Sequence, residues 1–93
     1  MEQELWNELY ALACRMDKSQ TLGLYRHAEV VGVYLWAAIH DRPTWWATKA
    51  KNWPKEINLS IPSQSTMSHR LRSVAVRQLL DDMLSWGALE PAT

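Results

Sequence analysis

The stretch SQSTMSHRLRS, from Ser63 to Ser73, concentrates side chains that hydrogen-bond. Ser63, Gln64, Ser65, Thr66, Ser68 and Ser73 carry hydroxyl or amide groups, His69, Arg70 and Arg72 add ring and guanidinium nitrogens, and no acid interrupts them. Met67 and Leu71 are the two apolar residues, one helical turn apart. If those two face a core, then Gln64, Ser65, Ser68, His69 and Arg72 turn to solvent, with Thr66 and Arg70 at the edges. An amide and a guanidinium can pair with base edges in a major groove, while hydroxyls and helix-end N–H groups reach phosphates. A plain solvated helix is also rich in serine and arginine, so the stretch alone fits both readings.

Charge separates them. The 93 residues are neutral as a whole, with ten basic against ten acidic groups, but the signs are segregated. Residues 42 to 77 hold Arg42, Lys49, Lys51, Lys55, Arg70, Arg72 and Arg77 against Glu56 alone, a balance of +6 between two acidic flanks of −3 each. A local positive field inside an otherwise acidic protein points to nucleic acid rather than to solubility. Gln64, Ser65, Thr66, Ser68, His69 and Arg72 are the expected base contacts, and Arg42, Lys49, Lys51, Lys55 and Arg70 the expected phosphate contacts.

Other chemistry finds little support. His27, His40 and His69 are far apart, and no Cys or His stands near any of them at metal-ligand spacing, so neither a metal nor a cofactor is expected. His40 before Asp41 reads as a histidine at a helix C-terminus, where partial positive charge is favoured. Asp81 and Asp82 are adjacent and point about 100° apart on a helix, which does not make a metal pair. There is no Gly-rich phosphate loop and no Gly-x-Ser-x-Gly elbow, so the chain is not expected to be an enzyme. Cys14 has no cysteine to pair with and reads as a small core residue in a reducing cytoplasm. The acidic start MEQELWNELY is unlike a signal peptide, and the apolar run from Val30 to Ile39 is too short to cross a membrane.

The elements that must hold these residues are helical. An apolar content of 47% with 22% charged residues suits one small globular domain spanning residues 1 to 93. Leu5, Leu9, Leu12 and Met16, with Trp6 and Ala13 alongside, predict an amphipathic helix from Glu2 to Met16. DKSQTLG reads as a loop. Tyr25 to His40 is apolar nearly all round in its second half and reads as a buried hub helix, with Gly32 marking a close crossing. Pro43 in a first turn, or Thr44 as a cap, opens a helix that ends before Pro54. PKEINLSIP reads as an exposed connection with a short extended piece at Ile57 to Ile61. Ser63 or Ser65 can cap the next helix, and Ser73 a last one carrying Val74, Val76, Leu79, Leu80, Met83, Leu84 and Trp86, closed by Gly87. Periodicity leaves open whether the chain bends at Ser73. Trp6, Trp36 and Trp86 are expected in the core, with at least one of Trp45 and Trp46 buried.

The segments LWAAIHDRPTWWATKAKNWP and IPSQSTMSHRLRSVAVRQLL resemble the N-terminal region of IS4-type DDE transposases, particularly those of planctomycete genomes. The resemblance covers Leu35 to Leu80, and HDRPTWWA and PSQSTMSHRLR carry most of it. It implies a domain that binds the transposon's terminal DNA on behalf of a catalytic domain further along. The carboxylate-bearing catalytic domain does not fit in 93 residues, so the chain is expected to be an excised N-terminal domain or the product of a truncated gene, cutting nothing by itself. The connection from Pro54 to Pro62 is longer than the three or four residues of a compact helix-turn-helix.

The combined expectation is an all-α bundle of four to five helices. A helix-turn-helix-like region at 42–86 is built on the pair Thr44 to Asn52 and Ser63 to Arg72. Double-stranded DNA is the expected partner, with homodimerisation left open. The alternative is a helical protein-interaction module whose exposed tryptophan or LLDDML face docks on a partner.

Overall fold

The computed structural model describes residues 2–17, 26–57 and 59–86. Among them the chain forms five α-helices and no strand: α1 (Glu2–Met16), α2 (His27–Ile39), α3 (Thr44–Ala47), α4 (Gln64–Leu71) and α5 (Val74–Trp86), with one 3₁₀ turn at Ala50–Asn52. The all-α bundle is as expected. The greater part of the DKSQTLG loop, the residue Tyr25, the Gly87 stop and the side chains of Leu84 and Trp86 lie outside the described residues.

α2 is the hub. Ala28, Val30, Val31, Val33, Leu35, Trp36 and Ala37 are all buried, and α1, α3, α4 and α5 all pack on this helix. α1 crosses it closely: a Cβ on Gly32 would lie 2.8 Å from Cδ1 of Tyr10, inside contact distance. Only a glycine admits this approach without movement of the Tyr10 ring. The Trp6 indole N–H donates to the Gly32 carbonyl at 2.7 Å across the same crossing.

The buried stripe of α1 is Trp6, Leu9, Leu12 and Ala13. Leu5, expected on that stripe, is 48% exposed, because Trp6 takes the inward position next to it. Trp6 stacks on Tyr10 at 4.9 Å and meets Trp36 and Trp53 edge-on at 6.0 and 5.3 Å, while Trp36 and Trp53 stack at 4.8 Å. With no phenylalanine in the chain, tryptophan supplies the large buried aromatic area that a small core needs.

α2 begins and ends with local devices. Asp17, just beyond α1, accepts the Ala28 N–H at 2.9 Å and lies 3.8 Å from the Arg26 guanidinium, so one helix's exit caps the next helix's start. Glu29 reaches back to accept the Arg26 N–H at 2.9 Å. At the other end the N–H groups of Asp41 and Arg42 donate to the carbonyls of Ala38 and Ala37, the paired bonds of a Schellman turn. Asp41 takes the left-handed position of that turn at φ 56°, where glycine is usual. His40 forms the C-cap, as its sequence position suggested.

The helix expected from Thr44 to Asn52 is broken. After Ala47 the backbone turns with i→i+3 bonds from Thr48 and Lys49, and side chains bond the last three carbonyls as well. Thr48 Oγ1 donates to Trp45 O at 2.7 Å, Asn52 Nδ2 to Trp46 O at 2.8 Å, and Trp53 Nε1 to Ala47 O at 2.7 Å. The 3₁₀ turn that follows is pinned to the hub by Trp36 Nε1, which donates to Asn52 O at 3.0 Å. Pro43 occupies the N-cap of α3, so the helix starts one residue later than with Pro43 in its first turn and one residue earlier than with Thr44 as its cap.

The connection to α4 is not the exposed link expected. Pro62 is fully buried, and Ile57, Leu59 and Ile61 pack against the core. Their alternate apolar side chains give it a footing without strand pairing. α5 then follows α4 after Arg72 and Ser73 alone, so the chain does bend at Ser73, whose Oγ accepts the Val76 N–H at 3.3 Å. Val76, Leu79 and Met83 are buried, but Val74, expected on that face, is 83% exposed because it stands at the helix's first turn beyond the bundle.

Candidate nucleic-acid interface

α4 is short, and its orientation is set by three anchors. Ser63 caps it, with Oγ accepting the Thr66 N–H at 3.2 Å. Met67 is completely buried and Leu71 half-buried, so the helix lies with one side on the bundle. Arg70 Nη2 sits 2.8 Å from Nδ1 of His27 at the start of α2. A guanidinium only donates, so this imidazole nitrogen is the acceptor and its proton resides on Nε2.

The opposite side of α4 is polar and open. Gln64, Ser65, Ser68, His69 and Arg72 are exposed, and Thr66 and Arg70 are half-buried at the edges, which is the distribution that Met67 and Leu71 predict. Arg72 Nε donates to the Ser68 carbonyl at 3.1 Å, holding the guanidinium against the last turn of the helix. Gln64, Ser65, Ser68 and His69 thus form one surface with Arg72 at its end.

The five basic residues expected at phosphates do not form one cluster. Arg42, Lys49, Lys51 and Lys55 are exposed. Arg42 lies over the Trp46 ring at 5.9 Å, and Lys51 lines a cleft with Gln3, His40 and Trp46, both at the C-terminal end of α2. Arg70 meets the N-terminal end of α2 instead. α2 spans 13 residues, so the two groups of contacts are separated by about 20 Å along its axis.

Of the expected tryptophans, Trp6 and Trp36 are buried as predicted, and Trp53 joins them. Trp46 is half-buried against His40, at 5.2 Å between ring centres, and Trp45 is 54% exposed. His40 is itself held by Nδ1, 2.9 Å from the Trp36 carbonyl, and rests 4.2 Å from the Trp36 ring.

Two residues that sequence reasoning passed over stand beside α4. Tyr34 of α2 and Arg77 of α5 line a pocket together with Arg72. Arg77 was counted among the seven basic residues, but nothing in its spacing tells that α5 turns it towards Arg72. Among the described residues no helix is long and apolar enough to cross a membrane. Comparison of the chain with known protein families, with curated proteins and with solved structures finds no match.

Proposed function

We propose that this domain binds double-stranded DNA, as the N-terminal part of a transposase-like protein acting in the cytoplasm, with α4 as its recognition helix and no catalysis of its own. The observation that carries the reading is the exposed surface of α4. It joins an amide, two serine hydroxyls, an imidazole and a guanidinium on a helix fixed from behind by Met67, Leu71 and the Arg70–His27 bond. A short rigid helix with such a face suits the major groove, where Gln64 and Arg72 have partners on base edges. α3 with the 3₁₀ turn and α4 form the helix-turn-helix-like pair, joined by the packed connection.

The division of basic residues fits a duplex. About 20 Å corresponds to roughly six base pairs at 3.4 Å each. Arg42 and Lys51 would then meet the backbone away from the groove that α4 occupies, with Lys49 and Lys55 beside them and Arg70 closer in.

The test is fluorescence anisotropy of the domain with a labelled random 20-base-pair duplex across about 50 to 200 mM salt. A log–log slope near −3 to −5 corresponds to about four or five phosphate contacts and supports the reading. Absence of binding at 50 mM salt sinks it. The exposure of Trp45 would then favour the interaction-module reading, in which that indole and its surroundings dock on a protein.

A further inference from the structure

Between α2, α4 and α5 lies a pocket of about 370 Å³ lined by Tyr34, Leu71, Arg72, Arg77, Leu80 and Asp81. Its lining has two parts. Leu71 and Leu80 are half-buried and make an apolar floor, while Tyr34, Arg72, Arg77 and Asp81 are exposed at the rim. Two guanidiniums against one carboxylate leave a net charge of +1. Among the described residues the Arg77 side chain forms no hydrogen bond or ion pair, not even with Asp81 one turn along α5. Arg72 spends Nε on the Ser68 carbonyl, which positions its guanidinium at the junction of this pocket with the polar face of α4.

The chemistry that fits is a singly charged oxyanion attached to a small apolar body. Guanidiniums bind such an anion by paired N–H donors, and a phenol adds a further donor. The leucines and the Tyr34 ring would cover the carbon skeleton next to it. A phosphodiester with its sugar has this combination of one negative charge and an apolar flank.

We infer that the pocket holds one backbone phosphodiester of the nucleic acid that α4 faces, with Arg77 and Tyr34 as phosphate-binding residues outside the recognition helix. This rests on the DNA reading above. Its consequence is that α5, and not only α3 and α4, takes part in the interface. Arg72 then stands between a base edge on one side and a phosphate on the other.

Two measurements on the full chain decide it. In the first, arginine Nε–H resonances are followed by NMR while dimethyl phosphate is added at constant ionic strength. Arg72 and Arg77 should shift together and saturate, while Arg15 stays still; equal shifts with acetate would overturn the assignment in favour of a carboxylate. In the second, the duplex titration is repeated with Arg77→Gln, its fold checked by circular dichroism. The variant should bind more weakly to all sequences, with a salt slope shallower by about 0.9. If the wild type binds and Arg77→Gln binds with unchanged affinity and slope, the pocket is not part of the interface and the DNA reading stands without it. If the wild type itself binds no duplex, both fall together.

Discussion

Arg70 of α4 and His27 of α2 meet at 2.8 Å across 43 positions of the chain, tying the candidate recognition helix to the hub by a side-chain bond. The bond places Arg70 in a positioning role whatever else its guanidinium touches. His27→Leu removes the acceptor and leaves a half-buried guanidinium donor without it. The expected cost is about 1 to 2 kcal/mol, read as a lowered midpoint in urea denaturation. Because the substitution leaves every arginine and lysine in place, any accompanying loss of DNA affinity would report the placement of α4 rather than a deleted phosphate contact.

Asp17 does similar work at the start of α2, where its carboxylate is almost fully covered and accepts the Ala28 N–H. Asp17→Ala should destabilise the domain by about 1 to 2 kcal/mol, since it deletes a helix cap and leaves Arg26 without this ion-pair partner. Thermal unfolding followed by circular dichroism would register this. A melting temperature unchanged within a degree would show that the cap contributes nothing.

Gly32→Ala sets two effects against each other. Alanine gains about 1 kcal/mol of helix propensity over glycine, but its Cβ would stand 2.8 Å from the Tyr10 ring, which is stacked on Trp6. Overpacking should win, for a net loss of about 1 to 3 kcal/mol. Pairing it with Tyr10→Ala in a double-mutant cycle should recover part of that loss, because the obstructing ring is then gone.

Asp41→Gly should have the opposite sign. Asp41 holds a φ of 56° at the end of α2, and an L side chain in the left-handed region carries a cost that glycine avoids. Stability is expected to rise by about 1 kcal/mol, which for a domain of this size corresponds to a melting temperature higher by roughly 4 to 8 °C.

Tyr10 supplies a pH dependence. Burial first, and then its hydrogen bond with Cys14, push the phenol well above its ordinary value near 10. The folded state therefore favours the neutral phenol. In the unfolded chain the group ionises from about pH 10, so the stability it confers is complete below that pH and is lost as pH rises beyond it. Between about pH 10 and 12 the wild type should lose melting temperature faster than Tyr10→Phe does. Parallel curves would mean that the phenol ionises as easily in the fold as outside it.

The sequence marked α4 as a candidate reading helix, and it already contained most of what orients it. Met67 and Leu71 fix the inward side by their spacing, Pro62 and Ser63 fix the start, and Ser73 fixes the next helix's cap. These are local signals, decided within one or two turns, and the bounds of α1 were legible for the same reason. The helix expected from Thr44 to Asn52 failed because its termination is not local in that sense. Trp53 donates to Ala47 only when its ring is already packed against Trp6 and Trp36 from two other helices.

What the sequence by itself determined is thus the helical class, the serine caps of α4 and α5, and which side of α4 is polar, since each follows from periodicity and short-range hydrogen bonding. The tertiary structure alone decided which side chains meet. The Trp6–Gly32 bond spans 26 positions, and the Arg70–His27 bond spans 43. It also folded the Pro54–Pro62 connection onto the core and brought Tyr34 of α2, Arg72 at the C-cap of α4 and Arg77 of α5 to one pocket. Periodicity assigns a residue to a face of its own helix. Only the packing of helices against one another, settled by long-range burial and close approach at Gly32, determines what that face meets.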